Sequence, residues 1–376
     1  MHTNPSKAVA ASAPTSSAAP GSTRRYIGEV GPVQDAAAID ATRLQRYLSA
    51  TIKGFEGPLE VRQFRGGQSN FTYLVTTPAQ RYVLRRRPPG LLSKSAHAVD
   101  REFRVLGALA GSGVPVPEPL AYCDDDTVLG SAFYVMHHVE GRTFWDCRMP
   151  DLTSAERAAV FDSANETLAR LHRVDYGALG LADYGRPGNY FERQIARWTV
   201  QYEASKTGDI AEMDKLVAWL PSALPPDDGQ RVLLHGDYSF HNLLIHPSEP
   251  RVVAVLDWEL STLGHPLGDL TYHAMEWYRP PGVDTRGTLR DADLQALGIP
   301  TLERYIARYA ERTGLAFDGR WHFYRAFNLF RTAAILQGVV KRMANGQANA
   351  TAGEVAHLIV PLAAAAWHSA CEGGAT

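Results

Sequence analysis

Residues 231–259 read RVLLHGDYSFHNLLIHPSEPRVVAVLDWE, and this stretch decides the fold. Two short apolar runs, 231–234 and 251–256, each lead into an acidic residue, Asp237 and Asp257. Strands ending there place both carboxylates at one edge. Between them Pro247-Ser248-Glu249-Pro250 forms a turn after a third short strand at 243–246, which draws Asn242 toward Asp257, fifteen residues on. Asp237, Asn242 and Asp257 then form a hard-oxygen set of the kind that suits Mg²⁺.

Working upstream, residues 59–87 read as three strands. Leu59 to Phe64 is the first, Asn70 to Thr76 the second and Arg81 to Arg87 the third. Arg65-Gly66-Gly67-Gln68-Ser69-Asn70 joins the first two, and a Gly-Gly pair there serves a plain turn or a loop over a nucleotide. Val83 and Arg85 share a face by period-two alternation. Arg85, Arg86 and Arg87 also fit a solvated basic edge. A helix at 97–110 carries Phe103, Leu106, Leu109 and Ala110 at helical spacing and ends before Pro115-Val116-Pro117-Glu118-Pro119. Ahead of the sheet, Asp40 can cap a helix with Leu44, Tyr47 and Leu48 on one face. Leu120 to Cys123 and Ala132 to His138 complete the small sheet.

Downstream of Gly141 the patterns turn helical, at 153–172, 190–204, 209–220, 267–278, 299–313, 320–343 and 352–371. The reading is an α+β protein with three parts: a leader at 1–25, a sheet-bearing lobe at 26–139 and a mostly helical lobe at 140–376. Eighteen of the first 23 residues are Ala, Ser, Thr, Pro or Gly, which predicts a disordered leader.

Asp-x-x-x-x-Asn, then a strand and a second Asp, is the layout of the protein-kinase active site, where catalysis is mostly positioning and neutralisation of phosphate charge. His235-Gly236-Asp237 stands where protein kinases carry His-Arg-Asp, and Leu256-Asp257-Trp258-Glu259 where they carry Asp-Phe-Gly. With Leu263-Gly264-His265-Pro266-Leu267-Gly268-Asp269-Leu270 downstream, the chain resembles the aminoglycoside phosphotransferase and choline kinase group over about residues 45–345. Val83-Leu84-Arg85 and the run from Leu256 to Gly264 are most similar to the kinase-like domain associated with acyl-CoA dehydrogenases.

The resemblance implies a bilobal protein-kinase-like fold and an ATP- and Mg²⁺-dependent kinase for a small hydroxylated molecule. Asp237 would be the base or hydroxyl-orienting residue, and Asn242 and Asp257 the metal ligands. Gly66, Gly67, Ser69, Asn70, Val83, Arg85, Glu102, Met136 and His138 would bind the nucleotide, with Arg85 on the phosphates paired to Glu102. His235 and Asp269 would brace the catalytic loop. Glu259, Trp258, Tyr272 and Trp277 are candidates for the acceptor side, with a core role equally open to the aromatic ones. Most kinases carry Lys where Arg85 stands, and Arg presents a planar fork in place of a point charge.

The subgroup implies a hydroxyacyl-CoA or related acyl acceptor and a functional association with an acyl-CoA dehydrogenase. An aminoglycoside site is normally rich in carboxylates, whereas 268–290 sets Asp269, Glu276 and Asp284 against Arg279, Arg286 and Arg290. Two rivals stay open: a catalytically silent nucleotide-binding module, and a phosphohydrolase using His235, Asp237, His241 and His246 around a metal.

Composition narrows the classes further. The 376 residues hold 38 Lys plus Arg against 40 Asp plus Glu, a formal charge of −2 that argues against a general nucleic-acid binder. Apolar residues are 45% and charged residues 21%, enough to bury a core. Cys123, Cys147 and Cys371 form no CxxC pair, which argues against a zinc site or disulfide scaffold and fits a reducing, cytoplasmic setting. The longest near-apolar run, Leu358 to Trp367, is interrupted by Pro361 and falls short of the ~18 residues a membrane span needs.

Overall fold

The computed structural model describes residues 28–34, 38–65, 70–88, 99–282, 286–345 and 353–375. The leader and four residues of the glycine segment, 66–69, which include the candidates Gly66, Gly67 and Ser69, lie outside these.

Six strands form one antiparallel sheet: β1 (Val30–Gly31), β2 (Glu60–Phe64), β3 (Phe71–Thr76), β4 (Arg81–Arg86), β5 (Pro119–Cys123) and β6 (Phe133–His137). Their order is β1-β2-β3-β4-β6-β5. Alternation along β4 divides its side chains between two cores. Tyr82 and Leu84 point to one face, where Leu44 and Leu48 of α1 (Ala41–Thr51) are fully buried. Asp40 caps that helix through its side chain on the Arg43 N–H. Val83 points to the other face, toward Val105, Leu106 and Leu109 of α2 (Val99–Leu109). Arg85 shares that face and stands opposite Tyr134 of β6.

The basic-edge reading of 85–87 fails for two of the three residues. Arg86 is buried, donating to the Ser131 hydroxyl at 3.0 Å and the Ala38 carbonyl at 2.8 Å. Arg85 turns into the protein on the opposite face, with a side chain 12% exposed.

A short helix α3 (Asp126–Leu129) precedes β6, and the rest of the chain is mostly helical. It runs through α4 (Ser154–Arg173), α5 (Tyr190–Ser205) and α6 (Ala211–Ser222), then two small ribbons. One ribbon pairs β7 (Val232–Leu234) with β10 (Thr262–Gly264); the other pairs β8 (Leu243–Ile245) with β9 (Val252–Val255), Leu243 opposite Val255. The expected helix at 267–278 is two, α7 (Leu267–His273) and α8 (Met275–Tyr278), because the chain tightens at Ala274. After α9 (Leu294–Leu297) and α10 (Leu302–Thr313) come α11 (Trp321–Ala344) and α12 (Gly353–Glu372). Helix α4 begins with a capping box of Thr153 and Glu156. The segment leaving β6 is pinned to β8 by Arg142 and Ile245, which exchange two backbone hydrogen bonds at 2.7 and 2.8 Å. Among the described residues no helix is long and apolar enough to cross a membrane.

Candidate active site

The loop after β7 is held from below by one carboxylate. Asp269, on the first turn of α7 and fully buried, accepts from the backbone N–H of His235 at 2.6 Å and of Gly236 at 2.8 Å. His172 of α4 lies 3.3 Å from the same carboxylate and also meets Tyr309. Burial works against this charge, but the hydrogen bond and charge of His172 outweigh it and hold the Asp269 carboxyl below its ordinary pKa.

His235 then ties the loop to the second acidic strand. Its Nδ1 accepts the Asp237 N–H at 3.2 Å, so the ring proton sits on Nε2, which donates to the Leu256 carbonyl at 2.8 Å. Its ring packs edge-on against Trp258, centroids 4.7 Å apart. Gly236 between them has φ +84°, and a Cβ there would stand 2.4 Å from the Leu260 carbonyl oxygen. Gly236→Ala is expected to lower the unfolding free energy by about 1–3 kcal/mol. A urea titration reads this, and an unchanged midpoint would show that the loop can move off Leu260.

The three oxygen-bearing residues converge. Asn242 donates from Nδ2 to the Asp237 carbonyl at 2.9 Å and to its carboxylate at 3.1 Å, which leaves its amide oxygen as an acceptor face. Its backbone carbonyl accepts the Leu256 N–H at 2.8 Å, so Asn242 and Asp257 are held together by the chain itself. Asp257 adopts φ 65°, ψ 68°, a left-handed conformation that is uncommon outside glycine and clusters at functional sites. Asp237 Oδ1 is buried with no hydrogen-bond partner among the described residues. Carboxylate and amide oxygens with unspent acceptor capacity fit a hard cation.

Arg85 bridges to this set. Its Nη2 donates to Asp257 Oδ1 at 3.0 Å, and its Nε lies 3.1 Å from Glu102 Oε2. Glu102, fully buried on α2, also accepts from Asn70 Nδ2 at 2.9 Å and the Tyr134 hydroxyl at 2.9 Å. Burial raises the Glu102 pKa, opposed by Arg85, Tyr134 and Asn70. Burial also works against the Arg85 charge, but Glu102, Asp257 and Glu259 keep the guanidinium protonated. Glu102→Gln is expected to cost about 3 kcal/mol, because it strips a buried guanidinium of its fully buried counter-charge. A urea midpoint close to wild type would show that Asp257 alone suffices for Arg85.

The remaining sequence candidates divide. Met136 is buried on β6. His138 follows that strand, hydrogen-bonds the Arg81 carbonyl at 3.1 Å, and lines an open depression of about 550 Å³ with Thr77, Gln80 and Arg81. Tyr272 stands beside Asp237; burial and that carboxylate raise its phenol pKa. His241, on the other flank, packs near Trp145 with centroids 5.6 Å apart, and desolvation lowers its pKa to about 4.

The two tryptophans do not join them. Trp258 is 2% exposed with its indole N–H on the Val255 carbonyl, and Trp277 is 7% exposed with its own on Pro300. Neither has a free N–H to offer an acceptor. The His-ligated reading fails on geometry too: His246 turns its Nδ1 to the hairpin N–H groups of Ser248 and Glu249, at 3.3 and 3.1 Å. Sequence reasoning missed Tyr134, His172 and Arg331, the last donating to the Gly236 carbonyl at 2.6 Å. All three reach the site from distant segments with no local pattern to mark them.

Known proteins resemble this chain in sequence and fold. The sequence model of the phosphotransferase enzyme family matches residues 60–311. Acyl-CoA dehydrogenase family member 10 of Mus musculus is 42% identical over 345 residues, covering 91% of this chain but 32% of that protein. Family member 11 of Homo sapiens is 41% identical over 332 residues, covering 86% and 42%. The chain thus spans between a third and a half of these curated relatives. A Ralstonia eutropha crystal structure, provisionally assigned as an aminoglycoside phosphotransferase, is 47% identical with a TM-score of 0.81, covering 89% of this chain and 99% of that one. Spectinomycin phosphotransferase in complex with ADP and spectinomycin, at 12% identity and a TM-score of 0.57 over 88% and 99% of the two chains, shares the kinase-like fold. Motif, fold and the match across residues 60–311 agree: the chain belongs to the phosphotransferase enzyme family.

Proposed function

We propose that this protein transfers the terminal phosphoryl group of ATP to a hydroxyl of a small molecule. The observation that carries the reading is the convergence of Asp237, Asn242 and Asp257 with Arg85, itself paired to Glu102. Residues 26–139 hold the nucleotide, and residues 140–376 hold the catalytic loop and the acceptor. Mg²⁺, when bound, neutralises phosphate charge, and Asn242 and Asp257 are the residues to hold it.

Asp237 orients the acceptor hydroxyl and takes its proton as the new P–O bond forms. Asn242 fixes the rotamer of that carboxylate through its Nδ2. Arg85, anchored by Glu102, offers its guanidinium to the nucleotide phosphates. His235 and Asp269 keep the loop at the height that lets these groups meet.

The acceptor in this reading is a hydroxyacyl-CoA or a related acyl compound, and the protein works alongside an acyl-CoA dehydrogenase in the cytoplasm. The names of the relatives at 41–42% identity support the acyl-CoA dehydrogenase part of this reading. A second reading, an aminoglycoside or choline-type kinase, draws on the name of the Ralstonia eutropha neighbour. The charges of Arg279, Arg286 and Arg331 near Asp237, Tyr272 and His241 disfavour a polycationic acceptor. A silent nucleotide-binding module is the reading from another class, and the complete Asp237, Asn242, Asp257 set speaks against it. ADP release with Mg-ATP over a panel of hydroxyl compounds separates these. Turnover with an acyl-CoA alcohol supports the first reading, turnover only with aminoglycosides or choline the second, and ATP binding without turnover the third.

A further inference from the structure

Arg331 lies midway along α11 and is 4% exposed. It carries more donors than its surroundings use. Nη2 donates to the Gly236 carbonyl, one residue from Asp237. Nε and Nη1 are buried with no hydrogen-bond partner among the described residues. The guanidinium carbon sits 5.0 Å from the ring centre of Tyr272, the residue beside Asp237, and 5.6 Å from that of Trp198 on α5. Burying donors unpaired is costly unless a ligand supplies the acceptors.

A second guanidinium meets the same indole. Arg197 lies 5.0 Å from the Trp198 ring centre and, unlike Arg331, is exposed. Among the described residues it makes no ion pair. One helical turn earlier, Arg193 donates to the Pro187 carbonyl at 2.9 Å, and Arg231 donates to the Gly185 carbonyl at 3.0 Å. Four positive side chains and Arg186 therefore gather along the first two turns of α5. Desolvation and the charge of Arg331 lower the Arg197 pKa, and desolvation and the charge of Arg231 lower that of Arg193. Asp227 offsets part of the charge at Arg193, and the oxygens of Asp269 are spent on His235, Gly236 and His172.

We propose that Arg331 and Arg197 form an anion subsite beside the loop that carries Asp237, which takes a phosphate or carboxylate group carried by the acceptor in addition to its hydroxyl. Arg331 reads the group next to the catalytic loop, and Arg197 closes on it from the solvent side. Arg186, Arg193 and Arg231 extend the positive field and favour a multiply charged group. The assignment to the acceptor rests on the phosphotransferase reading above; the binding it predicts does not depend on turnover.

The test uses the full chain saturated with ADP and Mg²⁺ and titrated calorimetrically with three probes: 4′-phosphopantetheine, 3-hydroxybutanoate, and pantetheine, which differs from the first by its phosphate alone. 4′-Phosphopantetheine binding with pantetheine silent identifies a phosphate; 3-hydroxybutanoate binding identifies a carboxylate. Arg197→Ala is expected to weaken the bound probe about tenfold or more, the worth of a charge-assisted contact. Arg331→Lys, which keeps a donor for Gly236 but loses the fork, is expected to weaken it as well. ADP affinity equal to wild type shows that either variant is folded. No binding of either anion overturns the subsite, as does binding that Arg197→Ala leaves unchanged. Anion binding with no ADP binding in a parallel titration of the nucleotide-free chain would sink the kinase reading and leave the subsite standing; the converse would sink the subsite alone.

Discussion

Asp237→Asn is expected to lower turnover by about two to four orders of magnitude while the affinity for ATP with Mg²⁺ stays near wild type. The substitution keeps the size of the side chain and an oxygen for Asn242, which reaches Asp237 through both its carbonyl and its carboxylate. The loop is held by Asp269 beneath His235 and Gly236 and by His235 on Leu256, none of which the substitution touches. Only the capacity to accept a proton is lost. Oδ1, buried and without a partner among the described residues, is the atom free to do so. Steady-state kinetics and nucleotide titration on the same preparation separate the two effects. Full activity in this variant would remove Asp237 as the base.

Asp257→Ala has its largest effect on binding. Two oxygen ligands reduced to one leave the cation poorly held, and an ATP affinity lower by about a hundredfold or more is expected in the presence of Mg²⁺. Without Mg²⁺ the variant should bind nucleotide no more weakly than the wild type, because Arg85 is released from Asp257. Alanine is unfavourable at φ 65°, so Asp257→Asn serves as the companion variant, because Asn tolerates that conformation while lacking the charge. Asp257→Ala also frees Arg85 from the carboxylate it contacts at 3.0 Å, whereas Asn keeps an oxygen that can accept from it. Unchanged ATP affinity with Mg²⁺ present, in both variants, would take Asp257 out of the metal site.

What the sequence revealed follows the range of each interaction. Asp237, Asn242 and Asp257 lie within 21 residues, beside short strands whose apolar runs and turn are local patterns. The main strands and helices were legible for the same reason. Of the elements of two to four residues, β7, β8 and β9 were marked by the motif and turn beside them, whereas β1, β10, α3 and α9 are too short to show a period and went unread.

Orientation was the second limit. A tryptophan near an active-site motif can face either way, and only the pairing of the Trp258 and Trp277 indole N–H groups with Val255 and Pro300 settles that both point inward. Distance in sequence was the third. Arg331 meets Gly236 across 95 residues, and His172 meets Asp269 across 97, so neither contact leaves a trace in local composition. The overall charge of −2 hid as much, because the arginines along α5 and the carboxylates at the catalytic loop cancel in the sum.

Phosphoryl transfer itself is the most direct test. The wild-type chain and Asp237→Asn are each incubated with Mg-ATP and a metabolite extract, and the products are followed by mass detection. The account predicts a phosphorylated small molecule formed in step with ADP by the wild type and lost in the variant. ADP with only inorganic phosphate, or ATP bound and never consumed with any acceptor in the extract, would contradict it.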